Sequence, residues 1–166
     1  MSLFPDWKHY AVSQRNRLTG CIPTGYEILL RAAHARGIDF NTFQEDFDLE
    51  SKRLGENNFK TVAEAIQIRY PQASIEVAVF SSGAEKLRFL EEQLSQKRPV
   101  IVSIALGPSG GWHIMPVVDA DSDTLRLLWE TLPRGQGYMI WEFWKTELVR
   151  RHDEWAGGND VAFVKQ

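Results

Sequence analysis

At 166 residues, 43% hydrophobic and 25% charged, the chain has the make-up of one ordinary globular domain with enough sequence to bury a sizeable core. Its net charge of −3 argues against a nucleic-acid footprint, and its single cysteine excludes an internal disulfide framework or a multi-cysteine zinc site. No apolar run reaches membrane-spanning length and residues 1–10 lack the apolar core of a secretory signal, so the expected setting is soluble and cytoplasmic, with no membrane partner.

The first element in chain order is a helix. The sequence is polar from Gln14 to Gly20; beyond it Ile28, Leu29, Ala32, Ala33 and Ala35 recur at helical spacing, and Gly37 closes the run. Pro23 suits a first helical turn, where its missing N–H has no intrahelical partner. Gly37 suits the left-handed residue past a helix end. Cys21 therefore stands at a helix N-terminus, where unpaired N–H groups and the macrodipole favour a thiolate. A free cysteine is most often a small buried hydrophobe. This one is singled out as a candidate nucleophile by its position, by an amide upstream at Gln14 (or Asn16), and by a histidine strand far downstream.

Asn41 or Thr42 can cap a segment that carries Phe43 and Phe47 and ends near Gly55. Asn58 can cap another, with Val62, Ala65, Ile66 and Arg69 leading to Pro71. After Pro71 the pattern alternates. Residues 74–80 place Ile75, Val77 and Val79 on one strand face. Ser82-Gly-Ala-Glu85 is a capping box for a helix with Leu87, Leu90 and Leu94 at helical spacing. Strands are expected over 99–106, 112–119 and 125–130, an aromatic-rich helix over 141–152, and a last strand over 160–164. There is no internal repeat. The fold class is α+β, a helical half followed by a largely antiparallel sheet half.

His9, His34 and His152 lie in polar or helix-surface contexts, and no pair has metal-ligand spacing. His113 differs. It follows Gly107-Pro-Ser-Gly-Gly-Trp112, which leaves open space beside the imidazole, and it begins an apolar strand. Pro116 in that strand removes a ladder hydrogen bond and points to an edge or a bulge. With the next turn centred between Asp121 and Ser122, Glu130 faces His113, close enough for its carboxylate to hold the ring N–H. A turn centred half a residue later puts Thr131 there instead. Asp119 shares the face of His113 but lies about 20 Å along the strand, too far to orient the ring.

This order of residues resembles the papain-like cysteine peptidases and is most similar to their bacterial double-glycine leader-peptidase (bacteriocin-processing) branch. The stretch Phe89-Leu-Glu-Glu-Gln-Leu-Ser-Gln-Lys-Arg-Pro-Val-Ile-Val-Ser103, through His113 to Glu130, follows that family's run. Trp141-Glu-Phe-Trp144 resembles its aromatic helix near the C-terminus, whereas 41–70 matches no part of it. The resemblance implies a single papain-like domain over 1–166, with a helical half (about 1–72) packed on a sheet half (about 73–166). It makes Cys21 the nucleophile, His113 the base and Gln14 the oxyanion donor, with Glu130 standing where the family has an orienting Asp or Asn.

There are departures. The family has Gly after its cysteine and Asp before it, where this chain has Ile22 and Gly20. Gln14 also lies one residue further upstream than the family pattern. The implied chemistry is acyl transfer through a thioester on a peptide or protein substrate, with no cofactor and no metal. Transglutamination or deamidation on the same residues, or a catalytically lapsed peptide-binding module, are the competing readings. Trp112, Trp141, Phe143 and Trp144 are candidates to line a cleft or, more commonly for aromatics, a core.

Overall fold

The computed structural model describes residues 7–15, 20–51, 58–131 and 138–165, and of Glu130 and Thr131 the backbone alone. The first helix, α1 (Cys21–Ala32), begins at the cysteine and stops earlier than Gly37. His34 takes the left-handed conformation at φ 57°. Its N–H bonds Arg31 O and the N–H of Ala35 bonds Leu30 O, the paired closure that satisfies the last carbonyls of a helix. A histidine thus does what glycine was expected to do.

In place of one segment running toward Gly55, which lies outside the described residues, the chain makes two single turns, α2 (Phe43–Asp46) and α3 (Asp48–Ser51). Phe43 and Phe47 are both buried, and they pin these turns against α1 and α4 (Asn58–Arg69). Pro71 then ends the helical region in a 3-10 turn over Pro71–Ala73.

Six strands form one antiparallel sheet: β1 (Ile75–Val79), β2 (Val100–Ala105), β3 (Trp112–Ala120), β4 (Thr124–Thr131), β5 (Tyr138–Trp144) and β6 (Asp160–Val164). Their spatial order is β1-β6-β2-β3-β4-β5, so the last strand in sequence lies between the first two. Helix α5 (Gly83–Ser95) is capped by Ser82, whose Oγ accepts from the Glu85 N–H at 3.2 Å. Glu85 does not close the box; its carboxylate accepts from the Ser81 hydroxyl. The α+β reading holds, but helices cover both faces. Ile101, Ile114 and Ala162 pack with α1 and α4, while Val102, Ile104, Met115 and Val161 pack with α5 and α6 (Lys145–Glu154). With both faces covered, β2 is buried at every position.

Three expectations need correction here. The aromatic helix over 141–152 is half strand: β5 runs to Trp144 and α6 starts at Lys145. Burial of Phe143 between exposed Glu142 and Trp144 follows period 2, and that alternation outweighed the apparent helical spacing. His152 is buried, its Nε2 against Phe80 O at 3.0 Å, because α6 turns that face toward α5 and the link between β1 and α5. The β3–β4 turn is centred a full residue later than assumed, since Ala120 pairs with Leu125 and Asp119 with Arg126. Asp121 sets that turn by accepting from the N–H groups of Asp123 and Thr124, both at 2.8 Å. A bulge between Val117 and Asp119 then gives Val117↔Leu127, the offset of the alternative that placed Thr131 opposite His113. The bulge foreseen from Pro116 is therefore present, two residues beyond the proline and inside the sheet.

Candidate active site

A cleft of about 330 Å³, counting its open mouth, is lined by Gln14, Cys21 and His113 together with Thr24, Ile28, Leu128 and Trp129 among others. Four separate pieces of chain meet here: the segment before α1, the first two turns of α1, the first half of β3, and β4 at Leu128 and Trp129. Contact between helix and sheet is close because Gly25, one turn beyond Cys21, has no side chain. A Cβ there would lie 2.9 Å from Cδ1 of Ile114, the residue after His113.

Cys21 is half-buried. Burial pushes its thiol above the ordinary cysteine value, and backbone N–H groups of Ile114, Ile22 and Cys21 itself partly oppose this. The helix terminus does favour the thiolate as expected, but desolvation outweighs it. The resting sulfur is a thiol that needs a base.

His113 lines the same cleft. Its Nε2 lies 3.3 Å from the main-chain oxygen of Trp129. A carbonyl can only accept, so Nε2 is the donor in this contact. The Trp129 indole packs on the imidazole with 4.4 Å between ring centroids, and Trp141 packs on Trp129 at 5.1 Å. Gly107 and Gly111, on the approach to β3, have nothing within 4 Å of a Cβ position, so the glycine-rich entry is open.

Of the four expected site residues, the structure brings Gln14, Cys21 and His113 into one cleft. Glu130 sits in β4 directly after Trp129, paired with Met139 of β5, and its side chain lies outside the described residues. Asn16 also lies outside them. Sequence reasoning missed Trp129, because attention went to the aromatics at 112, 141, 143 and 144. Of those, Phe143 is buried, Trp141 packs against the α5–α6 side of the sheet, and Trp144 is exposed. It also missed Gln44, which is 3% exposed beneath the segment carrying Gln14. A lone Gln in a stretch without motif gave no signal.

Among the described residues no group of three or more His, Cys, Asp or Glu side chains could hold a metal ion. Nor is any helix among them long and apolar enough to cross a membrane.

No family model matches the chain, and no curated protein matches it. Among solved structures it is similar to one from Bacillus anthracis, provisionally described as a C39-like peptidase. The TM-score is 0.58 at 12% identity, over 93% of this chain and 94% of the other. The match establishes a shared C39-peptidase-like fold.

Proposed function

We propose that the chain is a cysteine-type peptidase of the papain-like class, acting through a thioester on Cys21. The observation that carries this reading is the meeting of Gln14, Cys21 and His113 in one cleft. The fold shared with the Bacillus anthracis structure supports it.

The raised thiol determines how the first step runs. Cys21 Sγ attacks the scissile carbonyl as His113 Nδ1 takes its proton, so the imidazole acts as a base during attack. The imidazolium then protonates the leaving amine, the C–N bond breaks, and a thioester remains on Cys21. Water, deprotonated by the same ring, hydrolyses the thioester and restores the thiol. Backbone N–H of Cys21 and the side-chain amide of Gln14 bind the oxyanion, a contribution of about 3 kcal/mol per donor in comparable sites. Trp129 O meets the ring at Nε2, and Glu130, the next residue of β4, is proposed as the acid that helps orient it.

The substrate is a peptide or protein segment. Pro116, Ile28, Leu128 and Trp129 line the cleft, and small residues before the scissile bond are proposed to fit among them. That preference is the link to the double-glycine leader-peptidase branch.

The test uses p-nitrophenyl acetate, whose acyl group needs no peptide recognition. The parent is expected to gain one acetyl group as a thioester, seen by intact mass, and Cys21→Ala is expected to gain none. Peptides with Gly-Gly before the cleaved bond should then be cut faster than the same peptides with Leu-Leu. Equal acylation of parent and Cys21→Ala would end the reading. Ammonia release from glutamine peptides without chain cleavage would move it to deamidation on the same thioester.

A further inference from the structure

The main chain on both sides of Gln14 is held by one buried side chain. The N–H of Arg15 donates to Gln44 Oε1 at 2.9 Å, and Gln44 Nε2 donates to Ser13 O at 2.9 Å. A side-chain amide thus imitates a rung of a sheet ladder around the single residue between them. The amide orientation is fixed, because Arg15 N–H can only donate and Ser13 O can only accept; a flip would oppose like groups at both ends.

The same amide reaches α1. Thr24 Oγ1 lies 2.9 Å from Gln44 Oε1, sharing its proton with Gly20 O, and Gln44 Nε2 lies 3.4 Å from Glu27 Oε1. Glu27 is fully buried and bonds Arg31 at 2.9 Å. Arg15 adds a two-point contact to Glu45, the neighbour of Gln44, at 2.6 and 3.0 Å. Gln44 therefore ties the helix that carries Cys21 to the irregular segment that carries Gln14.

We infer that Gln44 is a positioning residue: it fixes the Gln14 amide relative to the Cys21 N–H and so completes the oxyanion site. This rests on the reading that Cys21 is acylated and Gln14 binds the oxyanion. Residues 11–14 have no helix or strand of their own to hold them. Oxyanion donors work only when they stand in place before charge develops, and a displacement of about 1 Å can cost on the order of 100-fold. Gln44 also meets α1 at Thr24 and Glu27, but the backbone bonds of α1 and of the β3 ladder are expected to keep thiol and imidazole in place when the amide is lost.

Gln44→Met keeps the length and burial of the side chain and removes its bonds to Ser13 and Arg15 together with those to Thr24 and Glu27. Three measurements apply: hydrogen exchange of residues 10–15, acylation of Cys21 by p-nitrophenyl acetate, and alkylation of Cys21 by iodoacetamide. Alkylation is displacement at a saturated carbon and forms no oxyanion. The expected result is faster exchange over 10–15, acylation slowed roughly 10- to 100-fold, and alkylation unchanged. In a Gln14→Ala background the same substitution should add no further loss of acylation. Gln44→Asn, which keeps the amide but shortens its reach, should show the same selective loss to a smaller degree, even if the Met variant is unstable.

Unchanged exchange over 10–15 would overturn the inference. So would a parallel fall of acylation and alkylation, or losses that multiply in the double variant. A parent that is never acylated at Cys21 sinks the peptidase reading instead, and leaves the exchange result to decide the clamp.

Discussion

His113 and Trp129 make a double contact: the main-chain oxygen of Trp129 lies 3.3 Å from the ring Nε2, and the Trp129 indole packs on the same imidazole. One residue of β4 therefore sets both the tautomer and the tilt of the proposed base.

Substitution of Glu130 should consequently be mild. Glu130→Ala is expected to lower kcat by about tenfold or less, well below the 10²–10⁴-fold typical of losing a general base. His113→Ala should fall in that larger range. Trp129→Leu keeps the carbonyl and removes the indole; it should lower kcat more than Glu130→Ala, with little change in KM, because orientation acts on the transition state. A Glu130→Ala loss equal to that of His113→Ala would restore the carboxylate as the orienting group.

Thiol reactivity provides a second measurement. Because burial raises the Cys21 thiol, iodoacetamide labelling of His113→Ala should titrate with a midpoint above that of a free thiol. The sign follows from the charged form being the reactive one: a raised value means less thiolate at neutral pH. In the parent, His113 should add reactivity near pH 7 that the variant lacks. With one cysteine in the chain, intact mass reads this site alone. Identical profiles for the two proteins would show that the ring does not serve the sulfur.

Lys86 makes stability depend on pH. Its ammonium is buried, donates to Ser103 O and Gly158 O at 2.6 Å each, and is pushed down to about 7 by desolvation. Between about pH 7 and the ordinary lysine value the unfolded chain binds more protons than the folded one, so stability rises with pH across that window. Relative to Lys86→Met, the parent should gain on the order of 2 kcal/mol from pH 7 to pH 9 in urea unfolding. A flat difference would mean the amine stays charged in the fold.

Two glycines should respond oppositely to one methyl group. At Gly158 (φ +71°) a Cβ would lie 2.2 Å from Ala105 N, inside the backbone of β2. Gly158→Ala should cost more than about 3 kcal/mol or prevent folding. Gly107→Ala meets nothing and should leave the melting temperature nearly unchanged. Thermal melts of the two variants decide the point.

Elements with a local signature were readable from the sequence. Cys21 at a helix start, Ser82 at a cap, the buried strand at 99–106 and the strand over Asp160–Val164 each declare themselves by residue type and spacing. What escaped depended on contacts between distant segments. The β3–β4 register turned on how Asp121 accepts two N–H groups and on a bulge near Pro116, and an offset of one residue changes which side chain faces His113. Trp141 and Phe143 carry the same residue types in a helix or a strand, and only the packing against α5 and α6 distinguishes them. Gln44 acts through atoms some thirty residues away in sequence, which no spacing rule reaches.

The place of β6 has a consequence for how the molecule comes into being. β6 is hydrogen-bonded to β1 on one side and β2 on the other, yet it emerges after every other described strand as the chain is synthesised. Until residues 160–164 leave the ribosome, β1 has no neighbour to join the sheet, and half of the floor under α1 and α4 is missing. Ladders that span the chain in this way form late and slowly. A nascent chain would therefore carry Cys21 and His113 before the sheet that joins β1 to β2 is complete.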